Sequence, residues 1–268
     1  MLDISSPFCI INPLIVDLLY SFDVGLIEGN YIMGPQFCWG PFFMRARKKI
    51  YLGRYFQKAA MNIQNAYNEW SGIYDTNENL TRDLDQKVTR ETLAGQHFES
   101  ILELGCGTGK NTLFLVEFGK NVHALDFSVG MVEKAKEKVK TGNIRFSMVD
   151  LTKGWPCEDR SYDLVVCNLV LEHIEDLNHI FSETARTLLP HGTFFFNELH
   201  PFKQYKGTKA RFERGGENIE LDVFVHHISD YINAAAENGL KLVRLNEYWH
   251  EADENKPPRL ISFIFEKR

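Results

Sequence analysis

Hydrophobic and polar positions alternate on two different periods along this chain, and the switches between them mark its elements. The apolar run at Ile101–Leu104 suits a buried parallel strand, and Lys110–Phe118 reads as a helix closed by Gly119. Asn121–Asp126 is a second strand. The next helix takes Ser128 as its N-cap and sets Met131, Val132, Ala135 and Val139 on one face, with lysines and glutamates opposite. Ile144–Val149 is a third strand and Tyr162–Asn168 a fourth. A helix carrying Leu177, Ile180, Phe181, Ala185 and Leu188 leads into a fifth strand, Thr193–Glu198. Residues 209–227 alternate around Gly215-Gly216 and predict a β-hairpin. A helix capped by Ser229 and two final strands, Leu240–His250 and Leu260–Glu266, complete an α/β pattern.

The turn after the first strand carries the chemistry. Gly105, Gly107 and Gly109 bring the backbone close to any ligand and tolerate the positive φ of a tight turn. Strand, glycine turn and helix in succession suit an adenosine-containing ligand. The spacing is not that of a dinucleotide fingerprint, whose third glycine falls on Lys110, nor of a P-loop, whose first glycine falls on Leu104. Asp126 follows Gly105 by twenty-one positions, where an acid can accept two ribose hydroxyls. That acid serves NAD as well as S-adenosylmethionine.

The pattern E-x-G-x-G-x-G, worded LELGCGTG from Leu102 to Gly109, resembles motif I of the class I S-adenosylmethionine-dependent methyltransferases. The likeness extends over roughly residues 65–268, and it implies a doubly wound, seven-stranded, mostly parallel sheet with the last strand antiparallel. It also implies a cofactor, S-adenosyl-L-methionine, held by Glu103, Gly105, Cys106, Gly107 and Gly109 in the first turn. Asp126 would take the ribose and Asp150 the adenine amino group. Phe127, Met131 and Leu151 would line the ring, Asn168 and Leu169 would face the sulfur and methyl end, and Tyr74 would close over the cofactor or pack in the core. Amino-group methyltransferases acting on DNA carry Pro-Pro and an aromatic after the residue matching Asn168. This chain has Leu-Val-Leu, so the resemblance implies a small-molecule acceptor, methylated on oxygen or nitrogen. His173 has the chemistry of a base, but LEHIED wording is widespread in the family and the imidazole is read as a packing or capping group. The family's Pro-Gly-Gly turn before the fifth strand has His191 in place of the first glycine, which puts that turn's geometry in question.

Beyond the fifth strand the chain is most individual. A strand terminus beside the expected methyl position suits a substrate-activating residue, and histidine titrates near neutrality. His200 is the first choice for a general base, with Glu198 as its orienter or as a substrate-binding carboxylate. The other reading of His200 is a turn-closing residue before Pro201. The hairpin, a lid insertion carrying Arg211, Arg214, His226 and His227, either covers the ligand end of the sheet or is a solvated edge. Adjacent His226 and His227 point to opposite faces of a strand, so no metal site is expected. Two rival functions share the fold: a nicotinamide-dependent oxidoreductase and a non-catalytic subunit that binds S-adenosylmethionine.

Composition narrows the setting. A net charge of −6 disfavours nucleic acid as a partner. The five cysteines include no C-x-x-C pair, which fits reduced thiols and a cytoplasmic protein. Residues 61–268 are read as the catalytic domain, and residues 1–60 do not fit it. The apolar stretch Pro7–Tyr20 is interrupted by Asn12, Pro13 and Asp17 and is shorter than the roughly 20 residues of a membrane span. No basic residue precedes it, so it makes a poor secretory signal. The expectation is that the product begins at Met61; the alternative is a partner-binding or membrane-surface arm.

Overall fold

The computed structural model describes residues 63–268 except 77, 210, 215–216, 222 and 255, with the backbone alone for 211–214 and 217–219. The expectations for residues 1–60, for the Gly215-Gly216 turn and for the side chains of Arg211 and Arg214 lie outside the described residues.

Two helices, α1 (Ile63–Trp70) and α2 (Leu80–Leu93), precede the sheet. The alternating part then runs β1 (Phe98–Leu104), α3 (Thr112–Phe118), β2 (Gly119–Asp126), α4 (Val129–Lys138), β3 (Ile144–Met148), β4 (Tyr162–Asn168), α5 (Leu177–Thr187) and β5 (Leu188–Leu199). After it come the short helix α6 (Pro201–Tyr205), the hairpin β6 (Arg211–Arg214) and β7 (Glu217–Glu220), helix α7 (Ile228–Glu237), and strands β8 (Leu240–Tyr248) and β9 (Leu260–Lys267). The seven-stranded sheet has the order β3-β2-β1-β4-β5-β9-β8, and β9 lies antiparallel to both neighbours. The hairpin pairs only with itself, as a separate two-stranded sheet.

Period-two alternation divides the apolar residues of each strand between the two faces. On one side Leu102, Leu104, Val165, Phe194, Phe196, Phe263 and Phe265 pack under α5 and α7. On the other, Ile101, Leu164, Val166 and Phe195 meet Phe114 and Leu115 of α3. The run Phe194-Phe195-Phe196 therefore serves both cores. Phe196 stacks on Phe263 with ring centroids 4.8 Å apart, and truncating such a side chain to alanine costs about 3–5 kcal/mol.

Differences from the sequence reading are local. The third helix starts at Thr112 rather than Lys110, because Gly109 to Asn111 continue the turn. Leu188 belongs to β5 and not to the preceding helix, pairing with Tyr162 across a register shift. His191 adopts a φ of +62°, the left-handed conformation that a glycine takes freely, and its Nδ1 lies 3.0 Å from Glu266. The turn geometry is thus kept at a cost of roughly 1–2 kcal/mol.

Candidate functional site

The carboxyl ends of β1, β2, β3 and β4 converge on one cleft of about 470 Å³. Its floor is the glycine turn. Gly105 has a φ of +68°, and a Cβ there would meet Val170 Cγ2 at 2.3 Å, so only glycine lets the turn pass under the loop after β4. Gly107 has a φ of +52° with nothing within 4 Å of its missing Cβ, leaving its backbone open to the cleft. Gly109 does not line the cleft; it allows the close approach of α4, since a Cβ would lie 3.1 Å from that of Ala135. Cys106 is buried beneath the turn, and burial pushes its thiol well above the ordinary value.

Asp126 ties this turn to β2. Its Oδ2 accepts the Gly107 N–H and its Oδ1 the Ser128 N–H, each at 2.8 Å. Burial raises its carboxyl to about 6. Each carboxylate oxygen offers two lone-pair sites, so the group can still accept two hydroxyls from a ligand. Phe127, Met131 and Leu151 give apolar walls, and Asp150 stands at the open end, where its Oδ1 accepts from the Thr152 N–H at 2.9 Å and hydroxyl at 2.7 Å.

At the other end lie Asn168, Leu169 and Tyr74. Asn168 donates through Nδ2 to Thr89 Oγ1 at 2.8 Å, while its Oδ1 accepts the Asn197 N–H at 3.3 Å. Leu169 sits at a φ of +56°. The Tyr74 ring lies under the Arg82 guanidinium, 4.0 Å from the ring centre, and its carbonyl accepts an Arg82 N–H. Glu103 lies below the turn and accepts the Thr112 hydroxyl at 2.6 Å; burial pushes it up to about 8, so it is mostly protonated at neutral pH. A smaller cavity joins Glu103, Arg82 and Asp85 to the same glycines.

The sequence reading missed the wall facing this floor. Ile63, Gln64 and Tyr67 of α1 and Val170, His173 and Ile174 after β4 line the cleft. Gln64 Nε2 donates to the Phe127 carbonyl at 2.6 Å, and Asn68 Oδ1 accepts from the Ser128 hydroxyl at 2.7 Å and the Gly130 N–H at 3.2 Å. The Tyr67 hydroxyl lies 2.8 Å from His173 Nε2, with the rings edge-on. His173, read from sequence as packing, is therefore a polar group at the cleft.

Glu198 and His200 are placed elsewhere, which corrects the choice of this pair as catalytic. Glu198 is 1% exposed, and its Oε1 accepts the Val170 and Leu171 N–H groups at 3.0 and 2.8 Å. It clamps the loop after β4 from beneath. His200 caps α6, its Nδ1 accepting the Phe202 N–H at 3.1 Å and its Nε2 lying 2.8 Å from Glu247 Oε1. Neither lines the cleft. His226, expected on the lid, is buried with Nε2 2.7 Å from the Ile174 carbonyl, and His227 lies 2.7 Å from the Tyr205 hydroxyl.

The donor set fits an S-adenosyl ligand better than a dinucleotide. Asp126 and Asp150 both line the cleft, and among the described residues no lysine or arginine there is placed to hold a pyrophosphate. The strand order is that of the class I methyltransferase fold. Residues 102–196 match the family model described as a methyltransferase domain. An uncharacterized methyltransferase of Emericella nidulans is 27% identical over 68% of this chain and 76% of its own. The malonyl-[acyl-carrier protein] O-methyltransferase of Serratia marcescens is 28% identical, but the match spans 51% of this chain and 52% of that enzyme. Among solved structures, the N-methyltransferase NodS of Bradyrhizobium japonicum, in complex with S-adenosyl-L-homocysteine, superposes with a TM-score of 0.59 at 18% identity over 77% of this chain and 98% of that one.

Proposed function

We propose that the protein transfers the methyl group of S-adenosylmethionine to an oxygen or nitrogen of a small molecule. The observation that carries this reading is the Tyr67–His173 pair, 2.8 Å apart on the wall of the cleft that the glycine turn floors. When bound, the cofactor supplies an electrophilic methyl group, so the protein's work is to hold both reactants in line and exclude water. Asp126 and Asp150 hold the sugar and base, Phe127, Met131 and Leu151 enclose the ring, and the glycine backbone carries the amino-acid portion. Burial raises Tyr67 well above its ordinary value, so it stays a neutral phenol that orients the acceptor, while His173 Nε2 takes the acceptor's proton.

The three described cysteines are free thiols, and among the described residues no helix is long and apolar enough to cross a membrane. The free thiols support a cytoplasmic enzyme acting on a dissolved acceptor. Calorimetry with S-adenosylhomocysteine and with NAD tests the cofactor: the first is expected to bind and the second not, and the reverse would sink the reading. Incubation with methyl-labelled cofactor and a metabolite extract is expected to label a small molecule, and no transfer to any component would favour a non-catalytic subunit.

A further inference from the structure

Glu172 stands next to His173 in a position the proposed chemistry has not used. Its Oε1 lies 3.9 Å from His173 Nε2, the same nitrogen that meets the Tyr67 hydroxyl. The carboxyl is buried, with 7% of the residue exposed, and it is fixed at both ends. Gln204 Nε2 of α6 donates to Oε2 at 3.2 Å, and the Glu172 carbonyl accepts the Phe224 N–H at 2.8 Å. A run of polar groups therefore leads from the cleft wall inward: Tyr67, His173, Glu172, Gln204.

A buried carboxylate is costly unless it is paired and hydrogen-bonded. No lysine or arginine forms an ion pair with Glu172 among the described residues. The nearest group able to become a cation is His173. We infer that Glu172 is a positioning residue for methyl transfer that acts by charge: its carboxylate, 3.9 Å from His173 Nε2, offsets the positive charge that appears on the imidazole when the acceptor's proton arrives. As the new heteroatom–methyl bond forms, the sulfur–methyl bond breaks with its electron pair staying on sulfur, the proton moves from the acceptor heteroatom to His173 Nε2, and imidazole becomes imidazolium beside the Glu172 carboxylate. This inference rests on the reading of His173 as the base.

Other charged and titratable groups around this pair are Tyr67 of α1, Arg82 of α2, Asp126 of β2, Glu198 of β5 and Tyr231 of α7. Burial brings Glu172 up to about 7. An ionised Glu172 raises the proton affinity of His173, and a glutamine does not.

The test needs no acceptor. The His173 ring nitrogens are followed by NMR through a pH titration of the full chain saturated with S-adenosylhomocysteine. Glu172→Gln is expected to lower the His173 pKa by about one unit or more, a tenfold loss of proton affinity, with S-adenosylhomocysteine affinity held within about threefold. Glu172→Asp is expected to restore part of the shift, and Gln204→Met to give a smaller shift in the same direction. An unmoved His173 titration in a folded, ligand-binding Glu172→Gln protein overturns the inference. Should Glu172→Gln fail to fold, Gln204→Met decides alone by the same criterion. Failure of the underlying reading looks different: His173→Gln would then transfer methyl as fast as the parent, whatever Glu172 does.

Discussion

Asp126 Oδ2 accepts the Gly107 N–H at 2.8 Å, so the acid at the end of β2 builds the glycine turn as well as facing the cleft. Asp126→Ala therefore removes a ligand acceptor and orphans two backbone donors at once, since Ser128 N–H loses its partner too. At about 2–3 kcal/mol, S-adenosylhomocysteine binding is expected to weaken roughly 30- to 150-fold. Calorimetry checks it, and a change under about threefold would remove Asp126 from the site.

The same carboxyl gives binding a pH dependence. Burial holds it at about 6 in the ligand-free protein, and the ionised form is the better acceptor for hydroxyls. Affinity for S-adenosylhomocysteine is expected to rise between pH 5 and pH 7 and to level off above, whereas Asp126→Asn should flatten the curve. Titrations at several pH values, with the fold monitored by circular dichroism, measure both.

Glu103 makes a prediction about stability alone. Its carboxyl is raised from 4.5 to about 8, chiefly by burial. A raised acid contributes stability that is full below its unfolded pKa and is lost as pH climbs through the folded value. Compared with Glu103→Gln, the parent should be of similar stability at pH 5 and progressively weaker between pH 5 and pH 9. Urea unfolding at each pH reads the difference, and a constant gap would contradict a buried neutral Glu103.

The Tyr67–His173 pair separates turnover from binding. Tyr67→Phe keeps the ring against Trp70 and Phe127 and deletes only the hydroxyl. Once the labelling experiment has supplied an acceptor, kcat is expected to fall about 10- to 100-fold with cofactor affinity nearly unchanged. A loss confined to cofactor binding would assign the hydroxyl to the ligand instead.

His200→Ala is expected to do the opposite. It deletes a helix cap and a contact to Glu247, costing about 1 kcal/mol of stability with kcat within about threefold of the parent. A hundredfold loss of kcat without unfolding would return His200 to the catalytic machinery.

The strand order and the floor of the site were legible because their signals are local. Gly105, Gly107, Asp126, Asp150 and Asn168 each follow an apolar run, and in a parallel sheet the ends of those runs gather on one side. The opposite wall was not legible. Tyr67 meets His173 across 106 positions and Gln64 meets Phe127 across 63, and nothing in the sequence of α1 marks the faces it presents. Glu198 and His200 failed for a related reason. A polar residue at a strand end carries the same signature whether it faces a ligand or, like Glu198, holds the loop beneath one. Only the Val170 and Leu171 N–H bonds distinguish these cases.

Helix α1 packs Ala66 and Trp70 against Met131 of α4 and Leu221 after the hairpin, and it bonds to the segments it covers through Gln64 to Phe127, Asn68 to Ser128 and Gly130, and Tyr67 to His173. Its release would break those bonds and expose that small apolar cluster, while the strand ladders, none of which includes α1, stay paired. The helix thus behaves as a door and not as masonry. Departure of spent cofactor and exchange of the α1 amides with solvent would share one opening event, so a ligand that slows one slows the other.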